Sequence, residues 1–432
     1  MRQITSIKDV VDRHMCMGCG TCAAVRPDVV RMVDTVAHGK RPVIADGTDK
    51  ETVQELVGTC PGRSIDAAPA TDADAARSYD HAAWGPVLEV WEGHATDPEL
   101  RHQGSSGGVV SALSLFCIEE KGYPGAVQVR ARADQPLLNE SVISRCRSDV
   151  LASTASRYAP ASPCERLADL SASRRPHVFV GKPCDVAGAA RFAARDEAAT
   201  SGIGLSISIF CAGTPSLAGT RELLAHLGVE QRDEVLEVRY RGRGWPGRMA
   251  VRFRSARTGE IRTASTSYEE GWGDILQKHT QWRCRVCADH IGEHADLSIG
   301  DPWYRPVAEG DAGQSLIVVR TDRGRQILRE AVQAGVLQLE PRTLETLAAS
   351  QPNLERTRGA VYARCLTARL AGAAAPRYRG AALHRVWWRA LSPTAKFKSV
   401  AGTMKRMFVK GLFRKERAEI LEGQHGGRAR NR

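Results

Sequence analysis

The chain contains no run of 18 or more apolar residues, so it offers no helix able to span a bilayer. Its opening segment, MRQITSIKDVVDRHMC, places charges where a secretory leader needs a continuous apolar stretch, and the expected compartment is the cytoplasm. No repeat of 20 to 50 residues is visible, and no segment follows the G-x-G-x-x-G spacing of a nicotinamide fingerprint. No histidine or carboxylate stands in a diagnostic catalytic arrangement, so no acid or base is assigned; His102, beside a glycine-rich loop, is the nearest to one. Net charge is missing from most of the molecule. From Pro376 to Arg432 there are 15 Lys+Arg against 3 Asp+Glu, which accounts for the whole chain's +12 and leaves the preceding body neutral. A neutral body lacks the clustered basic surface that phosphate backbones require, so nucleic acid is not an expected partner.

Cysteine, in contrast, is plentiful: 12 among 432 residues. In a compartment that keeps thiols reduced, metal binding or redox chemistry is a better use for them than a disulfide framework. Cys16, Cys19 and Cys22 form C-x2-C-x2-C, and Cys60 is followed by Pro61. Bacterial ferredoxins continue this run with a fourth cysteine that serves a second cluster. Here Arg26-Pro27 occupies that place, as in a one-cluster remnant in which Cys60 closes the site. Four soft thiolates suit a 4Fe-4S cubane, and Gly18 and Gly20 let the backbone curl around it. The competing reading is a structural zinc site in a protein whose basic tail holds nucleic acid. Zinc sites usually use two C-x2-C pairs, however, so the spacing favours iron-sulfur.

Residues 1–75 read as this small unit, ending in the linker-like stretch DAAPATDADAARSYDHAA. From Trp84 to residue 375, strand-like runs (VLEVWE, AVQVR, HVFVG, LSISIF, VLEVRY, MAVRFR, LIVVR) alternate in part with helical ones (VVSALSLFCIEE, DVAGAARFAARD, SLAGTRELLAHLG, RGRQILREAVQAG). The pattern predicts an α/β body. VLEVRY and MAVRFR read as a hairpin around GRGWPG, which points to a mixed sheet. Residues 376–432 form a basic tail. Within it Val400, Met404, Phe408 and Leu412 recur at helical steps, widened by Met407 and Phe413 and bordered by Lys396, Lys398, Lys405, Arg406, Lys410, Arg414 and Lys415, with Trp387 and Trp388 upstream. Such a helix is expected to dock on an anionic inner membrane surface; packing on its own body or on a partner subunit are the alternatives.

Four further cysteines stand at Cys184 (VGKPCD), Cys211 (ISIFCAGTP), Cys284 and Cys287 (WRCRVCADH). Two follow predicted strands, where ligands converge in α/β sheets, yet spacing alone leaves half a zinc site, a redox C-x-x-C or core thiols equally open. Cys117, Cys146, Cys164 and Cys365 fit no ligand set. Taken together, QGSSGGVVSALSLFCIEEKGYPGAV, SRYAPA, FVGKPCDVAGAAR, IFCAGTPS and RCRVCADHIGEHADLSIGDPWY resemble the β subunits of coenzyme F(420) hydrogenases and dehydrogenases, F(420) being a deazaflavin hydride carrier. With the ferredoxin-like segment in front, the likeness covers well over half the chain. It implies an FAD-plus-4Fe-4S scaffold in which Cys184, Cys211, Cys284 and Cys287 ligate a second cluster beside the flavin.

Gly104, Ser105, Ser106, Gly107 and Gly108 precede the helical run VVSALSLFCIEE, where backbone amides and hydroxyls suit the flavin pyrophosphate; a plain helix-capping turn is the alternative. Tyr158, Lys182 and Asp301 are weaker pocket residues. Arg239, Arg241, Arg243 and Arg248 around Trp245 read either as a solvated patch or as an anion clamp. The expected activity passes electrons between a ferredoxin or coenzyme F(420) and an organic substrate through two 4Fe-4S clusters and FAD. The alternative is an electron-input subunit of a larger complex, with no substrate of its own.

Overall fold

The computed structural model describes residues 4–69, 78–308, 310–416 and 418–421. The middle of the Ala/Asp-rich stretch read as a linker, residues 70–77, lies outside them, as does the end of the basic tail. Near the N-terminus β1 (Val30–Thr35) and β2 (Gly39–Ile44) form a hairpin, followed by the short β3 (Ser64–Asp66). The body supplies β4 (Glu89–Ala95), β5 (Ala126–Ala131), β6 (Asn139–Ser144), β7 (His177–Gly181), β8 (Ile203–Ile209), β9 (Glu234–Arg239), β10 (Arg248–Arg254), β11 (Ile261–Ser267), β12 (Leu297–Gly300), β13 (Ser315–Val319) and β14 (Leu337–Arg342), and a short β15 (Arg377–Arg379) follows.

Eight of these make one sheet in the order β14-β4-β13-β12-β8-β7-β5-β6. Its middle pairs, β12 with β8, β8 with β7 and β7 with β5, are parallel, and its flanks are antiparallel. The expected mixed α/β sheet is thus observed. The central β13 reads SLIVV and every residue of it is buried, as a strand covered on both faces requires. Helix Val109–Glu119 is apolar nearly all round because it is a core helix; it packs with Val178, Leu205, Ile207, Ile299 and Ile317. Each fully buried aliphatic side chain there contributes about 1.5–3 kcal/mol. The expected hairpin is also present: β9, β10 and β11 form a separate antiparallel meander.

The three segments distinguished in the sequence meet in shared structure. Met15 and Leu56 lie in the same buried cluster as Phe179, Val361, Met407 and Leu412. β15 pairs in parallel with β3. Residues 79–84, the end of the linker-like stretch and the residue after it, form a helix whose Trp84 is buried. The tail then crosses the N-terminal unit, with backbone bonds from Glu416 to Asp12 (2.9 Å), Val36 to Glu419 (2.8 Å) and Leu421 to Asp34 (3.0 Å).

Helix Pro393–Val409 carries the expected apolar stripe but splits it. Met407 and Leu412 are buried and Met404 packs against the core, whereas Phe397, Val400, Phe408, Val409 and Phe413 are exposed. The side turned to the body holds Ser399 and Thr403, whose hydroxyls donate to the carbonyls of Lys396 and Ser399, both at 2.6 Å. No helix among the described residues is long and apolar enough to cross a membrane.

Candidate functional site

The C-terminal ends of the parallel strands bring the sequence motifs together. β7 ends at Gly181, and Lys182 and Cys184 open the next helix, Pro183–Ala193; β8 runs into Cys211; β12 runs into Asp301. In open α/β sheets this is the edge where ligands bind.

Cys184, Cys211, Cys284 and Cys287 line one small cavity of about 20 Å³ together with Met17, Thr214, Arg283, Asp289 and His290. The Thr214 N–H donates to Cys284 Sγ (3.2 Å), and buried Arg283 donates to the carbonyls of Pro61 (2.9 Å) and Gly62 (3.3 Å), tying this segment to the Cys60 turn. Burial pushes the Cys211 and Cys287 thiols up, to about 12 and about 11. His290 donates through Nδ1 to the Cys211 carbonyl at 2.8 Å, which leaves its buried Nε2 without a partner. Four convergent thiols fit a sulfur-bridged iron cluster, whose iron would supply the positive charge that buried thiolates need.

The first cysteine set lies alongside. Cys16 stands in the loop after helix Ile7–Asp12, Cys22 in helix Thr21–Val25 and Cys60 at the end of helix Lys50–Thr59. Gly18 and Gly20 adopt φ of +70° and +88°, and a side chain on Gly18 would strike the Lys40 carbonyl, so the loop needs both glycines. The Gly18 N–H donates to Cys16 Sγ at 3.3 Å. Burial raises the Cys16 thiol to about 12 and the Cys60 thiol to about 11; Cys22 rises through burial and then through the charges of Cys19, Cys60 and Cys16, so the four lie within electrostatic reach of one another. Cys19 falls to about 7, chiefly through a hydrogen bond from Cys164. Cys164, given no role in the sequence reading, thus sits fully buried against this set, and its thiol also meets the Asp185 carbonyl at 3.3 Å. Met17 links the sets: it follows Cys16 in the chain, lines the second cavity and reaches Cys284 Sγ at 4.0 Å. Among the described residues no three His, Cys, Asp or Glu side chains close tightly enough to hold a single metal ion.

A larger cavity of about 270 Å³ adjoins the second set, and Cys211, Gly213 and Thr214 line both. Gly104, Ser105, Ser106, Gly108, Tyr158, Lys182 and Asp301 all line it. Gly107 does not: its N–H donates to Ser315 Oγ (2.9 Å) and its carbonyl accepts from Ala95 (2.8 Å), wedging the loop between β4 and β13. Gly108, at φ +75°, starts helix Val109–Glu119 in a place where a side chain would lie 2.6 Å from the Leu100 carbonyl. The first turn of that helix faces the cavity. Burial alone would lower Lys182, but Asp185, 2.6 Å from Nζ, raises it and keeps it charged. Gln128 lines the wall with a buried Oε1 that has no partner. Glycines at a helix start, a fixed cation and an orphaned acceptor fit a phosphate-bearing organic cofactor.

Asp301 is not a free carboxylate. It accepts both terminal nitrogens of Arg241 (2.8 and 2.9 Å) and Trp245 Nε1 (2.9 Å). Of the four arginines in the GRGWPG region only Arg241 reaches the cavity, with its charge already matched; Arg243 and Arg248 are exposed and Arg239 lies off the lining. The anion-clamp reading of that segment is therefore corrected. His102 also stays off the cavity and accepts the Arg243 N–H through its carbonyl (2.8 Å). The sequence reading missed an aromatic wall of Tyr268, Trp272 and Trp303, with Tyr158 against Trp272 (4.9 Å) and Tyr268 stacked on Trp303 (5.4 Å). Trp303 was within reach, in the GDPWY motif; Tyr268 and Trp272 follow β11 and carry no signal of their own.

Comparison with known proteins bears on the family and the fold. Residues 90–168 match the family "Coenzyme F(420) hydrogenase/dehydrogenase, beta subunit N-term" and residues 175–345 its C-terminal counterpart. A coenzyme F(420) hydrogenase subunit beta from Methanococcus voltae is 24% identical over 254 residues, 56% of this chain and 81% of the relative. A ferredoxin from Thermococcus litoralis is 39% identical over 59 residues, 14% of this chain and 95% of the relative. A chain of the F(420)-reducing nickel-iron hydrogenase complex from Methanosarcina barkeri superposes with a TM-score of 0.50 at 20% identity, covering 65% of this chain and 93% of that one, and so shares the fold. The two family matches together span more than half of the sequence, and the chain belongs to the coenzyme F(420) hydrogenase/dehydrogenase β-subunit family.

Proposed function

We propose that the protein is a cytoplasmic iron-sulfur flavoprotein oxidoreductase that passes electrons between a ferredoxin or coenzyme F(420) and an organic substrate. Residues 1–75 act as a ferredoxin-type unit in which Cys16, Cys19, Cys22 and Cys60 hold one 4Fe-4S cluster; Cys184, Cys211, Cys284 and Cys287 hold a second; the larger cavity takes FAD. When bound, clusters exchange single electrons and a flavin exchanges either electrons or a hydride, which is the reason to combine them. Lys182 and the first turn of helix Val109–Glu119 would meet the pyrophosphate, and the aromatic wall would exclude water from the substrate side. The observation that carries the reading is the shared wall: Cys211, Gly213 and Thr214 border both the four-cysteine cavity and the larger one, with Met17 leading back to the first set. That a relative is a subunit of a hydrogenase favours a partner subunit as one destination of the electrons. The outward Phe397, Val400 and Phe408, beside exposed Lys398 and Lys405, further support peripheral contact with an anionic inner membrane surface.

Anaerobically purified protein is expected to contain about eight irons and one FAD per chain. Cys284→Ser should lower iron to about four and disturb the flavin, whereas Cys16→Ser should lower iron and spare it. A colourless, iron-free protein would sink the proposal.

A further inference from the structure

Four cations from three helices and the turn after the last gather with no carboxylate beside them among the described residues. Arg285 lies on helix Trp282–Arg285, Arg364 on helix Pro352–Leu370, Arg406 on helix Pro393–Val409, and Lys410 just beyond it. Arg364 Nη1 donates to the Arg285 carbonyl (2.8 Å), Arg285 Nη2 to the Gln277 carbonyl (2.5 Å) and Lys410 Nζ to the Thr280 carbonyl (3.3 Å). The guanidinium of Arg406 finds only the Thr403 hydroxyl, at 3.4 Å. Among the described residues none of the four has a carboxylate partner, although the chain pairs most of its other buried cations, such as Arg41 with Glu416 and Arg358 with Glu293. The Nε atoms of Arg285, Arg364 and Arg406 are all buried and without a partner. Burial and then the neighbouring charges of Arg406 and Arg285 together lower Arg364 to about 10; burial and then Arg285 and Arg406 lower Lys410.

Like charges in low dielectric repel strongly, and unpaired buried guanidinium N–H groups are costly. Three such groups held near one another, with Lys410 close by, concentrate positive charge that an anion would relieve. We infer that Arg285, Arg364, Arg406 and Lys410 form a binding site for a phosphate-class anion. The forked guanidinium suits phosphate oxygens, and an occupied site would clamp the helix Pro393–Val409 to the body. The same chemistry is offered by a free phosphate compound and by the headgroup of an anionic lipid. The site shares no lining residue with the larger cavity, but Arg285 adjoins Cys284, whose charge acts on both Arg285 and Lys410, so the cysteine set is the competing partner that the test must separate.

The test uses the full-length protein, purified anaerobically. Thermal unfolding is followed with inorganic phosphate or pyrophosphate against chloride of equal ionic strength, and phosphate is expected to raise the midpoint by roughly 2 °C or more. Arg364→Gln and Arg406→Gln should abolish that rise while being no less stable than the parent without phosphate, since each removes repulsion. Sedimentation with vesicles containing phosphatidic acid or phosphatidylcholine alone separates the sources. Pelleting with phosphatidic acid that Arg406→Gln abolishes and free phosphate competes away assigns a lipid headgroup; a phosphate response without such pelleting assigns a soluble phosphate compound. Equal behaviour in phosphate and chloride, with no vesicle binding, overturns the inference even if a variant fails to fold. So does an Arg364→Gln protein that loses iron with no phosphate response in the parent, which would give the cations to the cysteine cluster.

Discussion

Glu416 is the point at which the tail is fastened, and its replacement has a calculable cost. Its carboxylate and the Arg41 guanidinium are both 2% exposed and meet at 2.5 Å, with His14 Nδ1 at 3.4 Å. Burial alone would raise the carboxyl, but the His14 hydrogen bond and the Arg41 charge override it and hold it down to about 2 from an ordinary 4.5. At about 1.36 kcal/mol per tenfold this corresponds to roughly 3 kcal/mol. Because the folded value lies below the unfolded one, that stability is fully present above about pH 4.5 and drains away as pH falls toward 2. Glu416→Gln removes it at neutral pH and leaves Arg41 buried with only the Gln281 side chain (2.9 Å) and the Lys40 carbonyl (2.9 Å). Breaking a buried pair from one side costs about 3–5 kcal/mol, and the two remaining acceptors place this case near the lower end. Urea unfolding at pH 7 should show a loss of about 3 kcal/mol, with earlier proteolytic cutting after residue 410. The double variant Arg41→Met/Glu416→Leu should recover most of the loss, since well-packed apolar replacements of buried pairs are often neutral. A single variant that loses less than about 1 kcal/mol, or a double variant no better than the single, would refute the reasoning.

Two further outcomes follow from named contacts. Cys164→Ala should leave the iron count unchanged and lower the midpoint potential of the N-terminal cluster, because it removes the thiol that bonds to Cys19; a loss of iron would instead make Cys164 a ligand. The pair Phe397→Ser/Phe408→Ser, at positions 73% and 67% exposed, should change stability by no more than about 0.5 kcal/mol per site yet weaken sedimentation with anionic vesicles several-fold; undiminished pelleting would remove these side chains from any membrane contact.

What the sequence made legible was local. Continuous apolar runs marked β7, β13 and the core helix Val109–Glu119, and periodic ones marked β5, β8 and the amphipathic helix Asp322–Gln333, because burial on two faces or on one imposes those patterns directly. The glycine-rich loop and the cysteine spacings were readable for a related reason: each is confined to a few residues. The aromatic wall was not, since Tyr268 and Trp272 reach the cavity only through the β9 to β11 meander, whose placement is tertiary. Cys164 was invisible too, its meaning lying in the approach of Cys19 across more than a hundred residues. The tail stripe was misjudged by geometry. The helix ends at Val409, and the turn through Gly411, in the left-handed region, rotates the chain, so that Val400 on the helix points outward while Leu412 beyond it enters the core.

That last rotation bears on how the tail and the cysteine sets are coupled. Arg41 holds the tail through Glu416, the C-x-x-C segment through Gln281, and its own hairpin through the Lys40 carbonyl. Its charge also acts on Cys16, pulling that thiol down against burial. One buried guanidinium therefore joins the first cysteine set, the second and the tail. Removing Glu416 would leave the same charge with less to neutralise it and shift its influence toward the thiols. Any change in the tail that breaks the Glu416–Arg41 pair would reach both cysteine sets through these direct contacts.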